Sequence, residues 1–197
     1  MRLRGLLCAG VCMALAGPAL VYGQENGGAP GGQKTFTPTA VAPADSLNAA
    51  LSIFEEEFVG AAEAMPADKY NFAPATTIGL YSGVRTFAEE VKHVTQANYS
   101  LMRGYGVPGA PDAKTIDALK TKDDIVKALK DSFTYMHTAI STITPENAFM
   151  SLPGPPQYKL TRASLAAYGM GHLMDHYGQM VEYLRMNGIV PPASQQK

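Results

Sequence analysis

Residues 168–192 read YGMGHLMDHYGQMVEYLRMNGIVPP, and the stretch is helical by every local signal it carries. Apolar residues recur at three- and four-residue intervals, no proline interrupts them, and Gly188 followed by Pro191 and Pro192 supplies a stop. Extended backwards, the pattern predicts one long helix from about Thr161 to Asn187. His172 and His176 stand four residues apart in it, and so lie one above the other on one face. Two imidazoles buried without partners would cost on the order of several kcal/mol, so on a core-facing helix something must satisfy both.

Three further segments share the helical period. DSLNAALSIFEEEFVGAAEAM (residues 45–65) places Leu47, Leu51, Phe54, Phe58 and Ala62 on one stripe, with Asp45 or Ser46 as the N-cap. VRTFAEEVKHVTQANYSLMRGYG (84–106) repeats the spacing through Val84, Phe87, Val91, Val94 and Leu101, and carries His93. TKDDIVKALKDSFTYMHTAISTI (121–143) sets Ile125, Leu129, Phe133, Met136 and Ile140 in one stripe, with Asp123 and Asp124 near the positive end of the helix. Proline- and glycine-bearing stretches separate the four, and no alternating strand pattern intervenes. The expectation is an all-α fold, a four-helix bundle with long loops between helices, spanning residues 45–194.

The first residues do not read as part of that fold. MRLRGLLCAGVCMALAGPALVYGQ has two arginines, an apolar run and small residues, with Val21 and Gly23 at the −3 and −1 positions of a cleavage site before Gln24. That is the pattern of a secretory signal peptide over residues 1–23, and it predicts export to a periplasmic or extracellular destination. Gly17 and Pro18 weaken the competing reading of an uncleaved anchor, so no membrane association is expected after cleavage. Residues 24–44, rich in Gly, Pro, Thr and Ala, read as a flexible linker.

Cleavage would remove two of the 16 basic residues and none of the 17 acidic ones, moving the formal charge from −1 to −3. It would also remove both cysteines, Cys8 and Cys12, leaving no disulfide, thiolate ligand or cysteine nucleophile. With 197 residues, 46% of them hydrophobic, the chain has material for one sizeable core. Neither the overall charge nor any local run of lysine and arginine supplies a footprint for nucleic acid.

An H-x-x-x-H pair alone is a weak signal, and spacing leaves open whether His172 and His176 are ligands. A catalytic zinc site takes three protein ligands and keeps one open position. His137 reads as an ordinary surface or hydrogen-bonded histidine, which leaves His93 as the remaining candidate of the right type. Registry between the second and fourth helices is not fixed by the sequence.

From about Leu51 to Ser194 the chain resembles the DinB/YfiT-like family of four-helix metal-binding proteins. The resemblance rests on RTFAEEVKHVTQANY, on KTKDDIVKALKDSF and above all on GHLMDHYGQMVEYLRMNGIVPPAS. It implies that one histidine of the second helix and the pair of the fourth converge on a divalent metal, commonly Zn2+ or Ni2+. The matching positions are His93, His172 and His176. It further implies a transferase or isomerase using a low-molecular-weight thiol, a small-molecule substrate, and pairing into homodimers.

Each imidazole must be neutral to donate its lone pair, so acid should empty such a site. The open position would take water or a substrate atom, and a bound Zn2+ lowers the pKa of water or deprotonates a thiol. Asp175 and Gln96 are candidates to orient a ligand, and Glu89 and Glu90 are candidates to approach the site; for each, a solvated helix face is the competing reading. Arg85, Arg103 and Arg162 are scattered candidates for holding a carboxylate, with surface charge as the alternative. Hydrolysis by metal-bound water lacks the glutamate of an H-E-x-x-H motif, and a non-catalytic, metal-stabilised helical protein is the reading from another class. Tyr168, Met170, Met174, Tyr177, Met180 and Tyr183 line either a pocket, a dimer face or the ordinary core.

Overall fold

A computed structural model describes residues 38–153 and 159–195. The expected signal peptide and residues 24–37 of the expected linker lie outside the described residues. The described residues form five α-helices, a few 3-10 turns and one isolated bridge between Ser151 and Thr161, with no strand among them. The fold is all-α. No helix among the described residues is long and apolar enough to cross a membrane.

Helix α1 (Pro43–Ala64) starts two residues before the expected Asp45 and is capped by neither Asp45 nor Ser46. Proline is tolerated in the first turn, where its missing N–H would have had no partner, so Pro43 begins the helix instead of ending the linker. Ala42 sits at the cap and its carbonyl accepts from Ser46 N–H at 3.1 Å. Leu51, Phe58, Ala61 and Ala62 are its buried face.

Helix α2 (Phe87–Met102) begins at a reciprocal cap: Thr86 Oγ1 accepts from Glu89 N–H at 3.3 Å, and Glu89 Oε2 accepts from Thr86 N–H at 2.7 Å. Val84 therefore falls outside the helix. Helix α3 (Ala113–Asp117) is a fifth helix in a stretch expected to be irregular, capped by Asp112 Oδ1 accepting from Lys114 N–H. At five residues it is too short to display a 3.6-residue period.

Helix α4 (Lys122–Ile140) is capped by Thr121 and buries the expected stripe of Ile125, Leu129, Phe133, Met136 and Ile140. Helix α5 (Arg162–Met186) is capped by Thr161 and ends where Gly188 turns left-handed at φ +74°. There Gly188 N–H donates to Arg185 O at 2.9 Å and Ile189 N–H to Leu184 O at 3.0 Å, a Schellman ending that needs glycine at the turn.

The long helices pack α2 on α4 and α5, and α1 on α4 and α5. Phe58, Phe133, Leu173 and Met180 have no exposed surface and fill the space between them. Asn98 Nδ2 donates to Ser132 Oγ at 3.0 Å, tying α2 to α4 inside the core. Of the aromatic and methionine stripe on α5, Met170, Met180 and Tyr183 are core, Met174 and Tyr177 are half-buried, and Tyr168 is exposed. One close approach positions α5: a Cβ on Gly169 would stand 2.8 Å from Met136 Cε and 3.3 Å from Met102 Cε. The absent side chain lets α5 sit against α4 and α2 one turn before His172.

Candidate metal centre

The packing of α2 on α5 brings His93, His172 and His176 together. One ligand nitrogen from each lies within 4.8 Å of the others, so the three can hold a metal ion. Ring centroids are 4.5 Å apart for His172 and His176, 4.6 Å for His93 and His176, and 5.2 Å for His93 and His172. His176 is buried; the other two are half-buried and open towards solvent.

Glu90 sets the protonation pattern. Glu90 is 1% exposed, one helical turn before His93, and its Oε2 accepts from His176 Nδ1–H at 2.7 Å. A donor at Nδ1 leaves the lone pair of His176 on Nε2, facing the other two rings. A carboxylate behind a ligating imidazole holds its tautomer and ring orientation. Arg85 Nη1 stands 3.8 Å from Glu90 Oε1, and the Arg85 carbonyl accepts from Tyr183 O–H at 3.1 Å, which pins this strand of loop to α5.

Nε2 of His172 stands 3.2 Å from Nε2 of His176. Two nitrogens bound to one tetrahedral zinc at ordinary lengths stand about 3.3 Å apart, so the spacing suits a shared ion. His172 Nδ1 is buried with no hydrogen-bond partner among the described residues. Leaving a ring nitrogen unpaired costs about 1–3 kcal/mol, and the arrangement is accounted for if His172 gains more than that at Nε2. Burial pushes His93 down to about 4, with help from the Arg85 charge and the neighbouring histidines. Burial also lowers His172, again with help from His176. Both rings are therefore neutral at pH 7 and present lone pairs, as a divalent ion requires.

The sequence-level candidates for support divide sharply. Glu89 is occupied in the cap of α2, whereas Glu90 is the carboxylate at the site. Asp175 is exposed, and no side-chain bond joins it to the cluster among the described residues. Gln96 Nε2 donates to Asp117 Oδ1 at 2.7 Å and to Ala113 O at 3.0 Å, so it fastens α3 to α2. The signal for Glu90 was present in its position: with Phe87, Val91 and Val94 it falls on the buried face of α2, where an acid needs a partner. His137, by contrast, lies on α4 away from the cluster and bonds to Asn48 and Glu55.

Beside the cluster a cavity of about 440 Å3 is lined by His93 and His172 together with Tyr168, Ser100 and Arg103. The histidines thus border a space that a small molecule can enter. Residues 50–180, which include the three histidines and Glu90, match the family model described as the DinB superfamily. Comparison with the curated proteins finds no match.

Proposed function

The chain belongs to the DinB superfamily, and from that premise we propose that His93, His172 and His176 hold one divalent metal ion, zinc or nickel, beside a small-molecule site. The observation that carries this reading is the convergence of three imidazole nitrogens beside a cavity that His93 and His172 line, with Glu90 braced behind His176. We read the four long helices as the four-helix bundle of that family, with α3 as an addition at the edge of the cavity.

A bound divalent ion would supply Lewis-acid activation of an oxygen or sulfur ligand. The chain's own part is to hold three imidazoles at fixed spacing, to keep the His176 lone pair turned inward through Glu90, and to admit a substrate from the Tyr168 side. A transferase that uses a low-molecular-weight thiol is the reading the family resemblance favours. Hydrolysis is less well supported, because both candidate bases are engaged: Glu89 caps α2, and Glu90 bonds His176. A specific observation favours a second, non-catalytic role, since the three ligands come from α2 and α5 and an ion between them would tie the two helices together.

Elemental analysis of the full chain, without an affinity tag, tests the site. About one zinc or nickel per chain, lost in H93A, H172A and H176A, is the expected result. Metal retained by all three variants, or none taken up on reconstitution, overturns it. Loss of thermal stability on chelation, with no thiol transfer found in the metal-loaded chain, would select the non-catalytic role.

We also propose export, on the strength of residues 1–24 alone, where two arginines, an apolar run and small residues succeed one another. N-terminal sequencing of the secreted or periplasmic fraction should begin at Gln24. A chain recovered only inside the cell with Met1 intact overturns this.

A further inference from the structure

The cavity beside the histidines runs along one face of α2. His93, Gln96, Ser100 and Arg103 succeed one another at three- and four-residue intervals and line it in that order. At 1.5 Å per residue, Arg103 stands about 15 Å along the helix axis from His93. Between these ends the wall is mainly apolar, with Leu101 on α2 and Ile116 on α3. The lining is therefore elongated along α2, with His93 and His172 at one end and the exposed Arg103 at the other.

Arg103 is the one lining residue with a permanent charge, and it pairs with no carboxylate among the described residues. A cation just beyond the last turn of α2 also meets the negative end of the helix, but that interaction asks nothing of the cavity. A guanidinium at the rim of an apolar groove, with no acid of its own, suits a carboxylate or phosphate arriving on a ligand.

We infer that the cavity binds an elongated small molecule whose metal-binding head reaches the three histidines and whose far end carries an anionic group held by Arg103. The inference rests on the metal reading of the histidines, and it adds the charge and the shape of the ligand. Arg103 acts here as a specificity-determining residue and takes no part at the reacting end.

The test uses the full chain loaded with Co2+, whose visible absorption reports both metal binding and sulfur coordination. Two probes are titrated: 6-mercaptohexanoate and 6-mercaptohexan-1-ol, equal in length and in metal-binding sulfur and different in terminal charge. The acid should bind about tenfold more tightly than the alcohol, the scale of one partly exposed charge-assisted contact. R103M, which keeps an unbranched stem, should erase that preference while leaving the cobalt spectrum and the affinity for the alcohol unchanged. Added salt should shrink the preference in the native chain. Equal affinities in the native chain, a preference that survives R103M, or no binding of either probe to the cobalt-loaded chain overturns the inference and leaves the metal site standing. Failure of cobalt to bind is a separate result, which sinks the metal reading and this inference together.

Discussion

Two histidine environments lie on opposite flanks of this fold, and they answer the same physical problem in opposite ways. On α4, both nitrogens of His137 meet oxygen: Asn48 Oδ1 at 2.8 Å and Glu55 Oε2 at 2.9 Å. Asn48 is itself oriented by donating from Nδ2 to Ser141 Oγ at 3.0 Å, so the protein completes this ring with its own atoms. Across α2 and α5, three rings turn nitrogens towards one another, and among the described residues the ordinary donor–acceptor pair they make is His176 Nδ1 to Glu90. A histidine that ties helices together is surrounded by acceptors. A histidine set that awaits a cation is surrounded by lone pairs.

The strongest way to break the contrast is to remove rings one at a time. H93A, H172A and H176A should each lower metal affinity by more than the roughly 10–100-fold typical of losing an outer partner. H137A should keep about one metal per chain and lose only folding stability, on the order of 1–2 kcal/mol for its two hydrogen bonds, as read by urea denaturation. If H137A lost metal, or any of the other three kept native affinity by competition with a chromophoric chelator, the two environments would not differ in kind. Glu90→Gln comes next in size. It keeps the volume and an acceptor oxygen but removes the charge behind His176, and it should weaken metal binding about 10–100-fold while all three ligands remain. Unchanged affinity would make Glu90 a purely structural acid.

Much of this contrast was legible in the sequence, and the gaps have physical causes. The bounds of α5 could be read almost to the residue because Thr161, Gly188 and the prolines after it act through local backbone chemistry. The start of α1 was misplaced because Pro43 reads as a breaker, although the first turn of a helix is the one place that accepts it. The five residues of α3 gave no period to detect. At the site, the three histidines could be named but not brought together, since their meeting depends on how far α2 slides along α5. That registry is set by packing such as the approach at Gly169, which has no local signature. Glu89 and Glu90 looked interchangeable as neighbours on one helix, yet a 100° step between successive residues sends one to the cap and the other to the core.

Acid should sharpen the comparison by acting on the metal-free cluster. Burial holds His93 at about 4 in the folded chain, against an ordinary value near 6.5 once unfolded. Between those values the unfolded chain binds more protons, so stability falls as pH drops from about 6.5 and this loss is complete near pH 4. His172 is displaced in the same direction and adds to the slope. Urea midpoints of metal-free chain should therefore fall between pH 7.5 and 4.5, and H93Q should flatten the fall. A native slope in H93Q would detach the cluster from the acid response. Bound metal should leave over the same interval, because protons and the ion compete for the same lone pairs.

The smallest effect concerns the geometry that lets the cluster exist. In Gly169→Ala the new Cβ would meet two methionine ends, Met136 Cε at 2.8 Å and Met102 Cε at 3.3 Å, and such flexible groups can give way. Alanine also gains about 1 kcal/mol of helix propensity over glycine, so the two effects nearly cancel and the urea midpoint should hardly move. Gly169→Val adds bulk that the methionines cannot clear and should cost about 1–3 kcal/mol. Because Gly169 lies one turn before His172, valine should also weaken metal binding with every ligand and Glu90 intact. The Asn48–His137–Glu55 bonds join α1 to α4 and do not depend on where α5 sits, so they should persist in the same variant. Native metal affinity in Gly169→Val would mean that the three rings find one another without help from the close packing of α5.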